Sequence, residues 1–180
     1  MTSMSKRLAE RRRAAQYKKE IYSLAKSFRF AFRGFCFAID SERNMRIHLS
    51  VACFVMQFSF IYGLSSIEYI LLLLIFGLVI SAEMINTVVE VLVDLETSSY
   101  HALARVAKDV AAGAVLVLAI MAMIIGIILF GDFNRLQECF WHCVEHPILF
   151  LLLAVEIIAA ILFIFFWNHC KTTWKGITKK

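Results

Sequence analysis

The sequence predicts an all-α integral membrane helical bundle, and three observations carry that prediction. Of the 180 residues, 61% are hydrophobic, well above the ~45–50% usual in globular chains. The apolar residues gather in runs over about 47–62, 67–93, 110–130 and 148–167, each near the ~20 residues that cross a bilayer as a helix. A single Pro leaves these runs uninterrupted, and they lack the wide polar face of a helix in a soluble core.

Taken in order, the chain opens on a basic segment. Residues 1–33 hold ten Lys and Arg against Glu10 and Glu20. Beside membrane spans this reads as an anchor on anionic lipid rather than a nucleic-acid surface. Its first 20 residues are either unstructured or a helix at the surface. No apolar run of signal-peptide length follows the basic residues. Residues 21–40 alternate basic and aromatic side chains, among them Lys26, Phe28, Arg29, Phe30, Phe32 and Arg33. That pattern fits an amphipathic helix in the headgroup layer, or one packed on its own bundle.

The polar stretch 40–46 separates this helix from the first span, with Asp40 or Ser41 expected as the N-cap. The turn at Gly63 holds no Lys or Arg. The second span, about 67–93, is ~40 Å long as a helix, more than the ~30 Å hydrocarbon core, so its last turns emerge into the headgroups. A polar connection over 95–106 leads to the third span, which opens on the small residues Ala111, Ala112, Gly113 and Ala114 that permit close helix approach. A second polar connection over 131–147 leads to the fourth span, and Pro147 suits its first turn. Basic residues concentrate in the N-terminus, the second-to-third connection and the tail. With four spans these share one side, which predicts a multi-pass membrane protein with both termini in the cytoplasm. Five cysteines are an odd count, and Cys36, Cys53 and Cys170 lie scattered, so no disulfide framework is implied.

The second span carries the chemistry. Advancing 100° per residue, Glu83, Asn86, Glu90 and Asp94 fall within an arc of roughly 80°, while Ile85, Val88, Val89 and Leu92 lie opposite. Acids aligned on a span are costly, and an unpaired one simply protonates, so such a face marks either a structural polar network or a function. Glu83 lies ~16 Å deeper than Asp94. A water-soluble phosphate donor can meet the outer acids and a lipid hydroxyl the inner one. Lys108 and Asp109 follow at the start of the third span. No Walker-type glycine loop, Gly-x-Ser-x-Gly or His-Glu-x-x-His is present. Carboxylates, an amide and a lysine suit phosphoryl transfer, in which positioning and charge neutralisation by Mg²⁺ dominate. A transporter would instead spread its acids through the bilayer, and a non-catalytic assembly protein would need none of them.

Three blocks of sequence resemble a known family: 41–48 (SERNMRIH), 83–90 (EMINTVVE) with Asp94, and 107–115 (AKDVAAGAV). They are similar to the small prokaryotic diacylglycerol kinases and undecaprenol kinases, and their wording looks closest to the Gram-positive undecaprenol kinases. The resemblance implies an ATP-dependent lipid kinase acting on a polyprenol or a diacylglycerol. It implies Glu83 as catalytic base and Glu42 and Glu90 as Mg²⁺ ligands. Asn86, Asp94, Tyr100, His101, Lys108 and Asp109 match nucleotide and active-site positions. Phe30 stands where some relatives have a Tyr. The family implies a surface helix, three spans per subunit and a homotrimer with shared active sites, and no nucleic acid as partner.

The expected division is a basic segment over 1–24, a kinase domain over 25–130 and an extension over 131–180 carrying the additional fourth span. In that extension Glu156 is expected to pair with another helix. Cys139, His142, Cys143 and His146 share one helical face; zinc is possible by residue type, but four ligands from one short helix close a tetrahedron poorly, and an interfacial helix accounts for the same residues.

Overall fold

The computed structural model describes residues 3–96 and 102–167, with side chains over 22–95 and 102–167. All of its regular structure is helical: α1 Ser3–Ser41, α2 Arg43–Tyr62, α3 Ser66–Glu96, α4 Ala102–Phe130, α5 Phe133–Glu145 and α6 Pro147–Phe166. Helices α2, α3, α4 and α6 are long and apolar enough to cross a membrane, as the sequence predicts. Residues 1–37 form one compact unit and 38–180 another. In the first, the basic groups of Lys26, Arg29 and Arg33 lie 5.6, 5.8 and 6.0 Å from the Phe30 ring centroid, at cation–π range. Tyr22, Phe28 and Phe32 are exposed.

Within the second unit α3 packs most extensively on α4, α2 lies against α3 and α6, and α5 touches α2 and α6. One extended residue, Glu42 (φ −104°, ψ 122°), breaks α1 from α2. The sequence reading expected Asp40 or Ser41 as the cap, but Ser41 closes α1 and its hydroxyl turns back to Ala38 O (3.5 Å). Helix α2 ends at Gly63, which adopts φ 72°, ψ 56°, the left-handed geometry that glycine tolerates best. Helix α3 starts with a capping box: Ser65 N donates to Glu68 Oε2 (2.6 Å) and Glu68 N to Ser65 Oγ (3.4 Å).

Two connections are more helical than expected. Helix α4 begins at Ala102, eight residues before the expected 110, so Lys108 and Asp109 ride on its second turn. The stretch 131–147 contains α5, whose N-cap Asp132 accepts from Asn134 N and Arg135 N at 3.0 and 3.3 Å. The core at the Gly63 end joins Tyr62, Leu64, Leu72 and Cys139, flanked by Phe58, Tyr69 and Phe130. Elsewhere the spans are lined outward by Leu, Ile, Val and Phe, and α6 buries no residue fully. Such surfaces suit a hydrocarbon solvent, against which apolar exposure costs nothing.

Candidate active site

Helix α3 is amphipathic with its polar face inward. Glu83, Asn86 and Thr87 are 1%, 4% and 4% exposed, whereas Ile85, Val88 and Leu92 on the opposite face are 63%, 55% and 55% exposed. The predicted acid arc is therefore the packed face. Along it, burial falls towards the C-terminal end: Glu90 is half-buried and the Asp94 side chain is 69% exposed.

Each polar group on this face has a distinct environment. Thr87 Oγ1 donates to Glu83 O (2.9 Å), a bond within the helix that leaves the Glu83 carboxylate untouched. Asn86 Nδ2 donates to Glu90 Oε1 (3.1 Å) and orients that carboxylate. Lys108 reaches across from α4, and its Nζ donates to Asp94 Oδ1 (2.5 Å). Among the described residues, Glu83 Oε1 and Oε2 and Asn86 Oδ1 are buried without a hydrogen-bond partner. An unsatisfied buried polar group costs ~1–3 kcal/mol, so this face carries unused acceptor capacity.

Glu42 joins the cluster from the α1–α2 break. It makes no side-chain capping bond, and it lies within electrostatic range of Glu90, Arg46 and Lys108. Burial, and then the Glu90 charge, raise the pKa of its carboxyl. The break is held by Arg46. Its Nη1 donates to Ile39 O (2.8 Å) and Asp40 O (3.3 Å), and its Nε to Ile164 O (3.4 Å). Trp167 Nε1 donates to Asp40 Oδ1 (2.8 Å), so α6 braces the same corner. An arginine in the first turn of an apolar span is the signal that could have singled it out.

Glu42, Glu83, Asn86, Glu90, Asp94 and Lys108 thus gather at one end of the α2–α3–α4 bundle. Asp109 faces Arg105 instead (3.9 Å), both well exposed. Tyr100 and His101 lie outside the described residues. Glu156, on α6, was expected to pair with another helix; it lines a cavity against α2 with Ser50 and Cys53, yet Glu156 Oε2 and Ser50 Oγ both lack a partner among the described residues.

The gathered donors are all carboxylate and amide oxygens, with orphaned acceptors among them. Such a hard donor set fits Mg²⁺. An apolar cavity of about 380 Å³ runs between α2, α3 and α4, lined by His48, Val51, Leu72, Val79, Ile80 and Ala122 among others. Its Ile80 end lies about one helical turn from Glu83.

Comparison with known proteins accords with this geometry. Residues 29–130 match the family described as prokaryotic diacylglycerol kinase. The chain is 41% identical over 114 residues to the undecaprenol kinase of Bacillus subtilis, covering 63% of this chain and 93% of that protein. It is 43% identical over 105 residues to a diacylglycerol kinase of Synechocystis (58% and 60% of the two chains). To a diacylglycerol kinase of Haemophilus influenzae it is 32% identical over 108 residues (59% and 92%). No solved structure matches. With the acid face buried in a membrane bundle and the match spanning all three motif-bearing helices, the chain belongs to the prokaryotic diacylglycerol kinase family, a family of lipid kinases.

Proposed function

We propose that this lipid kinase transfers the γ-phosphate of ATP to the hydroxyl of undecaprenol, giving undecaprenyl phosphate. The observation that carries the reaction is the inward acid face of α3, graded from the buried, unpartnered Glu83 carboxylate to the exposed Asp94–Lys108 pair. The polyprenol is favoured by the Bacillus subtilis relative, which combines 41% identity with 93% coverage where the two diacylglycerol kinases fall short in coverage (60%) or identity (32%), and by the apolar cavity ending near Glu83. Diacylglycerol, named in the two other relatives, is the second reading.

Glu42 and Glu90 would hold Mg²⁺, with Asn86 orienting Glu90. When bound, such an ion would supply charge neutralisation for the transferring phosphate. Lys108, released from Asp94, would bind phosphate oxygen, with Asp94 at the nucleotide end of the cluster. Glu83 accepts the hydroxyl proton while the lipid oxygen bonds to the γ-phosphorus; the bond from that phosphorus to the β,γ-bridging oxygen breaks and ADP leaves. The apolar lining beneath Glu83 excludes water, which protects the phosphate from hydrolysis. The exposed apolar faces of the spans are consistent with a homotrimer sharing its sites between subunits. The basic segments are consistent with both termini on the cytoplasmic side, where ATP is available.

Purified protein given labelled ATP, Mg²⁺ and mixed lipids should label undecaprenol in preference to diacylglycerol. Preferential labelling of diacylglycerol would make the second reading correct, and no transfer to either would end the kinase reading of this site. For topology, a thiol introduced near Lys180 should resist membrane-impermeant reagents in intact cells; efficient labelling would place the tail outside.

Glu83→Gln keeps shape but removes the base. It should lower turnover by about 10²-fold or more with nucleotide affinity little changed. Glu90→Gln should instead weaken apparent Mg²⁺ and ATP binding. Turnover and equilibrium binding on intact oligomers separate the two roles, and loss of ATP binding in the Glu83 variant alone would reverse them.

The raised pKa of Glu42 sets the sign of a pH effect. Only the ionised carboxylate binds a cation, so affinity is full above that pKa and is lost as pH falls through it. Apparent Mg²⁺ affinity should therefore begin to fall at a higher pH than for an ordinary carboxylate. Glu42→Gln should bind more weakly and respond less over the same range. Identical pH profiles in the two proteins would remove Glu42 from the site.

A further inference from the structure

The rotation of α5 about its axis is fixed by one buried face. Cys139 Sγ donates to Ile61 O (3.6 Å) and Arg135 Nη2 to Gly63 O (2.8 Å). The Arg135 guanidinium lies 4.7 Å from the Tyr62 ring centroid. Cys139 and Cys143 are buried by this docking, whereas His142, Glu145 and His146 are exposed. The four-residue Cys and His grouping that sequence spacing suggested is therefore split: the thiols are buried and the imidazoles are exposed. Glu145 takes the place of the thiols. One ligand atom from each of His142, Glu145 and His146 lies within 4.8 Å of the others, and the two imidazole centroids are 4.7 Å apart. The i, i+3, i+4 spacing aligns the three along one helical edge.

The backbone holds this trio in place. His146 is both the C-cap of α5 and the residue before Pro147 of α6. Its N–H donates to His142 O (3.1 Å), and its carbonyl accepts from Leu149 N (2.9 Å).

We propose that His142, Glu145 and His146 form a binding site for a late first-row divalent ion, Zn²⁺ above all. Two imidazoles and a carboxylate are borderline nitrogen and oxygen donors of the kind zinc takes, with a fourth position left to water. Mg²⁺ prefers oxygen ligands in octahedral geometry and does not compete for such a set. The site is separate from the acid cluster. Helix α5 docks at the Gly63 end of α2, whereas Glu42 precedes its first residue. The 20 residues between them span ~30 Å. A bound ion ties the last turn of α5 to the entry of α6, so it stabilises the corner through which the fourth span leaves the bundle.

The test uses the full chain in detergent, free of affinity-tag histidines and stripped with a chelator. Zn²⁺ is titrated against a chromophoric chelator, and Co²⁺ is read by its visible absorption. The expected result is one Zn²⁺ per chain with a dissociation constant of about 100 μM or tighter, unaffected by excess Mg²⁺. His142→Ala and His146→Ala should each weaken binding by about tenfold or more with the helical circular dichroism unchanged. His169→Ala with Cys170→Ser should leave it intact. The Co²⁺ spectrum should lack a thiolate charge-transfer band, a readout on the unaltered chain that does not depend on any variant folding. Absence of stoichiometric binding, binding that survives removal of both His142 and His146, or a thiolate band would each overturn the assignment.

Discussion

Burial of the Glu83 carboxylate between α3 and its neighbours is the constraint on which the site depends. Acidic side chains at that depth are expensive, and this one has no hydrogen-bond partner among the described residues. Its helix tolerates it because the opposite face, with Ile85, Val88 and Leu92 exposed, meets lipid at no cost. A helix in water would be turned the other way. The inverted pattern buries the Glu83 carboxylate and leaves Asp94 exposed beside Lys108, one gradient of burial along a single helix.

The second element of the site is held from outside the region shared with the relatives. Glu42 sits at a one-residue break, a geometry with little stability of its own. Arg46 ties that break to α6 through Ile164 O, and Trp167 ties α6 back to Asp40. Both α6 groups lie beyond residue 130, where the family match ends. The added span thus braces the corner that carries a candidate ligand, and Arg43 adds to the brace by lying 5.0 Å from the Phe165 ring centroid.

What was legible in the sequence follows from how local each signal is. The four spans and the acid arc were legible because they rest on apolar run length and a 100° step, both properties of neighbouring residues. The early start of α4 was hidden because 102–109 mix polar and apolar residues in a way that a loop also tolerates; the reach of Lys108 to Asp94 is a contact between helices that no local pattern shows. The sorting of α5 into buried thiols and exposed imidazoles depends on its docking at Ile61 and Gly63, some 70 to 80 residues away in sequence. The partners of Arg46 were hidden because they are backbone carbonyls, which no side-chain pattern reveals.

If Glu42 and Glu90 ligate one and the same Mg²⁺, their contributions cannot be independent. The direct measurement is a double-mutant cycle on apparent Mg²⁺ affinity, comparing Glu42→Gln, Glu90→Gln and the double variant with the parent chain in the presence of ATP. The account predicts strong non-additivity, with the double variant weakened little beyond the worse single one. Additive losses would mean that the two carboxylates act at separate places, and the picture of one site assembled from the α1–α2 break and the acid face of α3 would be wrong.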